Sequence, residues 1–125
     1  LLDMINQLRA QNNRGPLTRQ TNLDTAARAH SQDMITRCFF DHVNPDGTDP
    51  FQRMKNAGYT GVPLAENIYK GSGSLGSAAE AFDAWKNSPG HLTNMLTPDA
   101  TEIGIGTALD GGTWMNWTNV FGRPR

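Results

Sequence analysis

Three ionisable side chains in this sequence have the chemistry of a metal site or of a proton-transfer site. They are His42, Glu66 and His91. Two imidazoles and a carboxylate can hold a divalent cation such as Zn²⁺, and the same groups can move a proton. No local motif of the H-E-x-x-H kind joins them, so spacing alone favours three unrelated polar residues.

The segments around the three residues predict how each one is held. His42 lies in FFDHVNPDG (39–47), whose NPDG run is typical of a turn. Glu66 lies in a short predicted strand, 64–70. His91 ends the run WKNSPGH (85–91), in which Ser88 and Pro89 predict an N-cap and a first helical position. His91 would then lie in the first turn of a helix, where the helix dipole favours a neutral imidazole.

The rest of the chain places helices first and strands late. Apolar spacing, caps and breakers predict helices at about 1–12, 23–37, 50–57, 78–87 and 88–96. Asn22 is the expected N-cap of the second helix. Two late β-like runs, 103–107 and 114–121, are separated by DGG and predict a hairpin. This order indicates an α+β fold, and without a visible linker we expect a single domain over residues 1–125.

Composition excludes several classes of function. The formal net charge is −1, and no basic run interleaved with aromatic residues is present, so nucleic-acid binding is not expected. No apolar segment is long enough for a membrane span. Gly71, Gly73 and Gly76 match a dinucleotide-binding pattern, but a helix and a hairpin follow them instead of a βαβ unit. We expect a mobile surface loop there.

A structural role explains three further reactive side chains better than catalysis does: Ser88, Cys38 and His30. A capping Ser88 would bond a backbone N–H and would not be free for attack. Cys38 is the only cysteine, so an internal disulfide is impossible. Because Cys38 follows the apolar face of the second helix, we expect its thiol to be buried and inert. His30 lies on that apolar face and predicts a buried structural histidine.

Taken together, the motifs resemble the CAP superfamily, the cysteine-rich secretory, antigen 5 (allergen V5/Tpx-1-related) and pathogenesis-related 1 proteins, also called SCP-like extracellular proteins. The W-x-x-S-P-G-H run is similar to that of its bacterial branch. Matching runs in the same order are AHSQDM (29–34), PFQR (50–53), GY (58–59), NML (94–96), EIGIG (102–106) and VFG (120–122). The resemblance therefore covers essentially the whole chain.

The resemblance implies a fold and a site. The implied fold is a three-layer α-β-α sandwich around a small, mainly antiparallel sheet. The implied site is a central cavity of two histidines and two acidic residues, of which His42, Glu66 and His91 match three. The second acid follows the tryptophan by three residues, and here that position is Ser88. Asn67 and Asn94 are expected to position the cavity residues. Two histidines and one carboxylate still suit a weak divalent-metal site, zinc above all.

The leading prediction is a non-catalytic binding module, secreted, periplasmic or on the cell surface, whose partner is a lipid, a glycan or a protein. The first alternative is a metal-dependent hydrolase in which zinc activates water and the candidate catalytic residues are Glu66 and His91. The second is a structural envelope or stress protein in which the polar trio only holds the core together. An exposed Trp114 or Trp117 would indicate a carbohydrate or lipid contact.

Overall fold

Five α-helices and one four-stranded sheet make up this chain, as seen in a computed structural model that describes residues 1–125. A 3₁₀ helix, Gly73–Gly76, follows the second strand. In chain order the elements are α1 (Leu2–Gln11), β1 (Thr18–Arg19), α2 (Thr21–Thr36), α3 (Pro50–Asn56), β2 (Val62–Ser72), α4 (Ala78–Lys86), α5 (Pro89–Met95), β3 (Glu102–Leu109) and β4 (Trp114–Arg123).

The sheet is mainly antiparallel, as expected. Its strand order is β1-β3-β4-β2, and only the short β1–β3 pair is parallel. The β3–β4 hairpin was predicted, whereas β1 has only two residues and carries no periodic signal. Strand β2 pairs with β4 and forms one edge of the sheet. That edge holds Glu66, so the candidate site lies where the sheet is not covered by another strand.

Apolar side chains form a core on each face of the sheet, which confirms the α+β three-layer architecture. One core joins α1, α4 and α5 to the sheet through Ile5, Trp85, Met95 and other residues. The other joins α2 and α3 to it, with Val120 as the strand contribution. Removing this apolar surface from water is the main term that holds the layers together.

Two glycines of β3 allow α2 to lie directly on the sheet. A Cβ at Gly104 would collide with the backbone of Leu23, and one at Gly106 would collide with the backbone of Ala27 and Arg28. Ser31 of the same helix donates a 3.0 Å hydrogen bond to the Gly106 carbonyl. The EIGIG run therefore has a packing reason for its glycines.

The ends of α2 differ from the prediction. Asn22 is not the N-cap: the helix begins at Thr21, and the Gln20 side chain accepts the Leu23 N–H. Asn22 instead donates to the Gly58 carbonyl. At the other end Cys38 is exposed and has a φ of 57°, so the expectation that it is buried was wrong. The reason is that the helix stops before Cys38, which takes the left-handed position of a Schellman motif.

The glycine-rich segment is a packed turn. Its residues 73–76 form the 3₁₀ helix, and a Cβ at Gly71 would collide with the backbone of Leu75. The Tyr69 hydroxyl donates to the Leu75 carbonyl, and the Trp117 indole donates to the Gly76 carbonyl. The glycines therefore permit close backbone packing in this segment. Its residues 73–75 lie at the surface as expected, and its mobility stays a prediction. No helix anywhere in the chain is long and apolar enough to cross a membrane.

Candidate functional site

His42 and Glu66 are in direct contact. The His42 Nδ1 lies 2.9 Å from Glu66 Oε1. His42 belongs to the loop between α2 and α3, and its side chain is 44% exposed, whereas the Glu66 side chain on β2 is 1% exposed. A buried carboxylate costs free energy unless it is paired. The imidazole is one of its two partners.

The second partner of Glu66 is Arg53, which sequence reasoning did not assign to the site. Its Nη1 donates to Glu66 Oε2, and its Nη2 donates to the backbone carbonyl of His42. The Arg53 side chain is 10% exposed. The guanidinium therefore clamps the carboxylate to the loop that carries His42, as its planar fork allows. The only signal in the sequence was its place in the matching run at 50–53.

His91 is bonded to Ser88 instead of to the carboxylate. Its Nδ1 lies 2.8 Å from Ser88 Oγ. Ser88 is the N-cap residue of α5 and Pro89 is its first helical residue, as predicted, but the serine side chain makes no capping hydrogen bond. The hydroxyl turns to the imidazole three residues later because that ring is within reach. His42 is the only histidine in an ion pair, so no carboxylate orients His91 as a triad would require.

Asn67 and Asn94 connect β2 to α5. Asn67 Nδ2 donates to the backbone carbonyl of His91 at 3.0 Å. Asn94 Nδ2 lies 2.9 Å from Asn67 Oδ1 and 3.2 Å from the Glu66 carbonyl. These bonds hold the His91 helix against the edge strand that carries Glu66. Asn67 and Asn94 therefore lie between β2 and α5, where they could position Glu66 and His91.

His30 is a buried histidine outside this group. It is 1% exposed, and its Nε2–H donates to the Asp41 carbonyl at 2.8 Å. Burial lowers the pKa of its imidazole, which favours the neutral ring. It anchors the start of the loop that leads to His42.

The environments of the two site histidines move their pKa values in opposite directions. The hydrogen bond to Glu66 raises the pKa of His42. Burial lowers the pKa of His91, and repulsion from His42 lowers it further. The direction for His91 matches the expected neutral imidazole, although burial and not the helix dipole is the leading cause.

An open cleft lies beside His42 at the edge of the sheet. Its volume is about 390 Å³. His91 and Ser88 are not among its lining residues. The lining residues are His42, Asp49, Pro50, Phe51, Leu64, Ala65, Glu66 and Asn94. The cleft thus combines the imidazole of His42, the amide of Asn94 and the carboxylate of Asp49 with a partly apolar wall.

The residues do not fit a resident metal. No group of three or more His, Cys, Asp or Glu side chains is arranged to hold a metal ion. Both Glu66 oxygens are already bonded, one of them to the fixed cation of Arg53. A divalent ion at this carboxylate would have to displace the guanidinium or lie beside its positive charge. The neutral Ser88 adds no anionic ligand in place of the missing acid.

Comparison with protein families and with individual proteins finds matches over almost the whole chain. The profile of the CAP family, described as the cysteine-rich secretory protein family, matches residues 2–121. The YkwD protein of Bacillus subtilis is 37% identical over 114 residues, which are 91% of this chain and 43% of that protein. The chain therefore spans less than half the length of this curated relative.

Solved structures with the same fold come from bacterial surface and extracellular proteins. An outer surface protein of Borrelia burgdorferi superposes with a TM-score of 0.82 at 22% identity, covering 99% of this chain and 90% of that one. An extracellular SCP-domain protein of Bacillus anthracis gives 0.78 at 23% identity, covering 98% of this chain and 38% of that one. At identities of 22% and 23%, these superpositions show that the fold is shared and say nothing further about function.

Proposed function

This chain belongs to the CAP family of cysteine-rich secretory proteins, and on that basis we propose that it is a non-catalytic binding domain that acts outside the cytoplasm. The similar bacterial proteins described as extracellular or outer-surface support the location. The cleft beside His42 is the proposed binding site.

One observation carries the non-catalytic part of the proposal. Both oxygens of Glu66 are bonded, one to His42 and the other to Arg53. A general base needs a free oxygen within reach of a water or substrate proton. A carboxylate whose two oxygens are both bonded in this way lacks that free oxygen. We therefore assign Glu66 a positioning role: it orients His42 toward the cleft.

His42 offers one hydrogen-bonding ring atom to a partner in the cleft. With Nδ1 of His42 bonded to Glu66, its Nε2 is the ring atom left for a ligand. Phe51 is 46% exposed on the cleft wall and supplies apolar surface. A partly apolar cleft with a few fixed polar groups is the usual form of a binding site.

The experiment that tests the non-catalytic assignment is a hydrolysis assay on fluorescent casein with zinc present. We expect the parent protein, His42→Ala and Glu66→Gln to give the same rate as buffer. Zinc-dependent turnover in the parent that disappears in both variants would instead establish the metal-dependent hydrolase.

Binding is tested separately by co-sedimentation with washed bacterial cell walls and with phosphatidylglycerol vesicles. Phe51→Ala removes the exposed ring from the cleft. Leu75→Ala is the matched control, because Leu75 is exposed on the 3₁₀ helix and does not line the cleft. We expect sedimentation that Phe51→Ala weakens and Leu75→Ala does not. Equal sedimentation of all three proteins, or none, would reject the cleft as the binding site.

A further inference from the structure

A second cavity lies between the end of α2 and the ends of β2 and β4. Its volume is about 370 Å³, and it shares no lining residue with the cleft beside His42. We call it the aromatic cleft, because the rings of Phe40 and Trp114 line it beside the polar side chains of Lys70, Asp110 and Asn116. Nothing in the site described above uses these residues.

The aromatic cleft exposes two large rings. Phe40 is 42% exposed and Trp114 is 45% exposed. Single exposed apolar side chains are ordinary on a protein surface, but two aromatic rings facing one concave site indicate a contact surface. Trp117, by contrast, is partly buried against the core and donates its indole N–H to Gly76. Trp114 is therefore the tryptophan available to a ligand.

Strand pairing fixes the polar groups next to the rings. Lys70 of β2 pairs directly with Asn116 of β4, and Trp114 lies two residues before Asn116 on the same face. The Lys70 ammonium lies 5.1 Å from the Phe40 ring centroid and 5.8 Å from that of Trp114. Both distances are within the range of a cation–π contact, so the ammonium lies close to both rings. None of the five ion pairs in the chain involves it.

Asp110 adds an acceptor at the turn between β3 and β4. Its Oδ1 accepts the Gly112 N–H at 2.8 Å, which fixes the side chain. The other oxygen is left to accept a hydrogen bond from a ligand hydroxyl. The cleft therefore combines aromatic faces with an ammonium donor, a carboxylate acceptor and an amide that does both.

We propose that the aromatic cleft binds a pyranose oligosaccharide. A sugar ring presents polarised C–H groups on its face, which are attracted to the negative face of an aromatic ring. Its hydroxyl groups both donate and accept, which matches Lys70, Asp110 and Asn116. An acyl chain would match only the rings and would desolvate the three polar groups without giving them partners.

The test is a fluorescence and NMR titration of the whole chain with chitotetraose, cellotetraose and tetragalacturonate. Saturable binding to at least one of them is expected, with a Kd of roughly 1 mM or tighter. Trp114→Ala and Lys70→Met should each weaken binding, the tryptophan change by at least about tenfold. Both side chains are exposed, so neither change should unfold the protein, and a thermal melt of each variant checks this.

Two controls separate this site from its surroundings. Leu109→Ala removes an exposed side chain of β3, and Leu75→Ala removes one from the 3₁₀ helix; neither residue lines the aromatic cleft. Both should bind the sugar as the parent does. The proposal is overturned if none of the three oligosaccharides binds, if Trp114→Ala binds equally well, or if lysophosphatidylcholine competes with the sugar or binds in its place.

Discussion

Arg53 and Glu66 form a buried ion pair at the exposed edge strand of the sheet. The guanidinium donates to one carboxylate oxygen, and His42 lies against the other. The same arginine also bonds the His42 backbone. A fixed cation thus occupies the position beside the carboxylate in which a metal ion was expected.

Replacing Arg53 by Met should destabilise the protein by about 3–5 kcal/mol, because it leaves a buried carboxylate without its cation. Urea unfolding measures the change. Arg19→Met is the matched control: its ion pair with Asp24 is exposed, and its loss should cost less than about 1 kcal/mol. Equal losses for the two variants would mean that the Arg53 pair contributes no more than a surface pair.

The two site histidines should titrate on opposite sides of the ordinary value of about 6.5. The pKa of His42 is raised by its bond to Glu66, and the pKa of His91 is lowered by burial and by His42. Two-dimensional NMR of the imidazole protons as a function of pH measures both midpoints. A His91 midpoint above that of His42 would contradict the geometry described for the site.

The raised pKa of His42 also has a consequence for stability. A group whose pKa rises on folding stabilises the native state fully below its unfolded pKa, and this contribution is lost as the pH rises through its folded pKa. The difference in unfolding free energy between the parent and His42→Gln should therefore be largest below about pH 6.5 and shrink at higher pH. Urea midpoints across this range check it, and a difference that grows with pH would contradict it.

Cys38→Gly should raise the free energy of unfolding by about 0.5–1 kcal/mol. Cys38 has a φ of 57°, a conformation that costs free energy for any residue with a Cβ. The gain is limited by the greater freedom of glycine in the unfolded chain. Cys38→Ser keeps the Cβ and should give no such gain in thermal melts. If the serine variant gains as much as the glycine variant, backbone strain is not the cause.

Arg9→Met should cost about 3 kcal/mol or more. The guanidinium of Arg9 is fully buried and donates to four backbone carbonyls, those of Gly15, Met95, Thr97 and Ala100. Methionine fills a similar volume but leaves these acceptors without partners. Urea unfolding again gives the cost. A loss below about 1 kcal/mol would show that water replaces the guanidinium there.

Most elements of the fold were predicted from the sequence, because long helices and the late hairpin leave local signals. The helices predicted at 50–57 and 78–87 agree with the structure to within one residue at each end. Strand β1 was missed because two residues have no periodicity. Gln20 was missed as a cap because its role depends on a longer side chain folding back to Leu23.

The site was only partly accessible to sequence reasoning. The resemblance selected His42 and Glu66, and the structure brings these two into contact. Arg53 was not selected, because its role depends on tertiary packing between α3 and β2, which no local pattern encodes. Ser88 was predicted as a cap from its type and position, yet its hydroxyl bonds His91. Whether these residues serve a ligand stays a prediction.

The measurement that tests the central claim most directly is a thermal melt of metal-stripped protein with and without zinc, repeated on His42→Ala. Zinc bound to the native state at a hundred times its Kd would add about 2.7 kcal/mol, which is a shift of several degrees for a domain of this size. Because Arg53 already neutralises Glu66, we predict no zinc-dependent shift in either protein. A melting temperature that rises with zinc in the parent and not in His42→Ala would contradict the account.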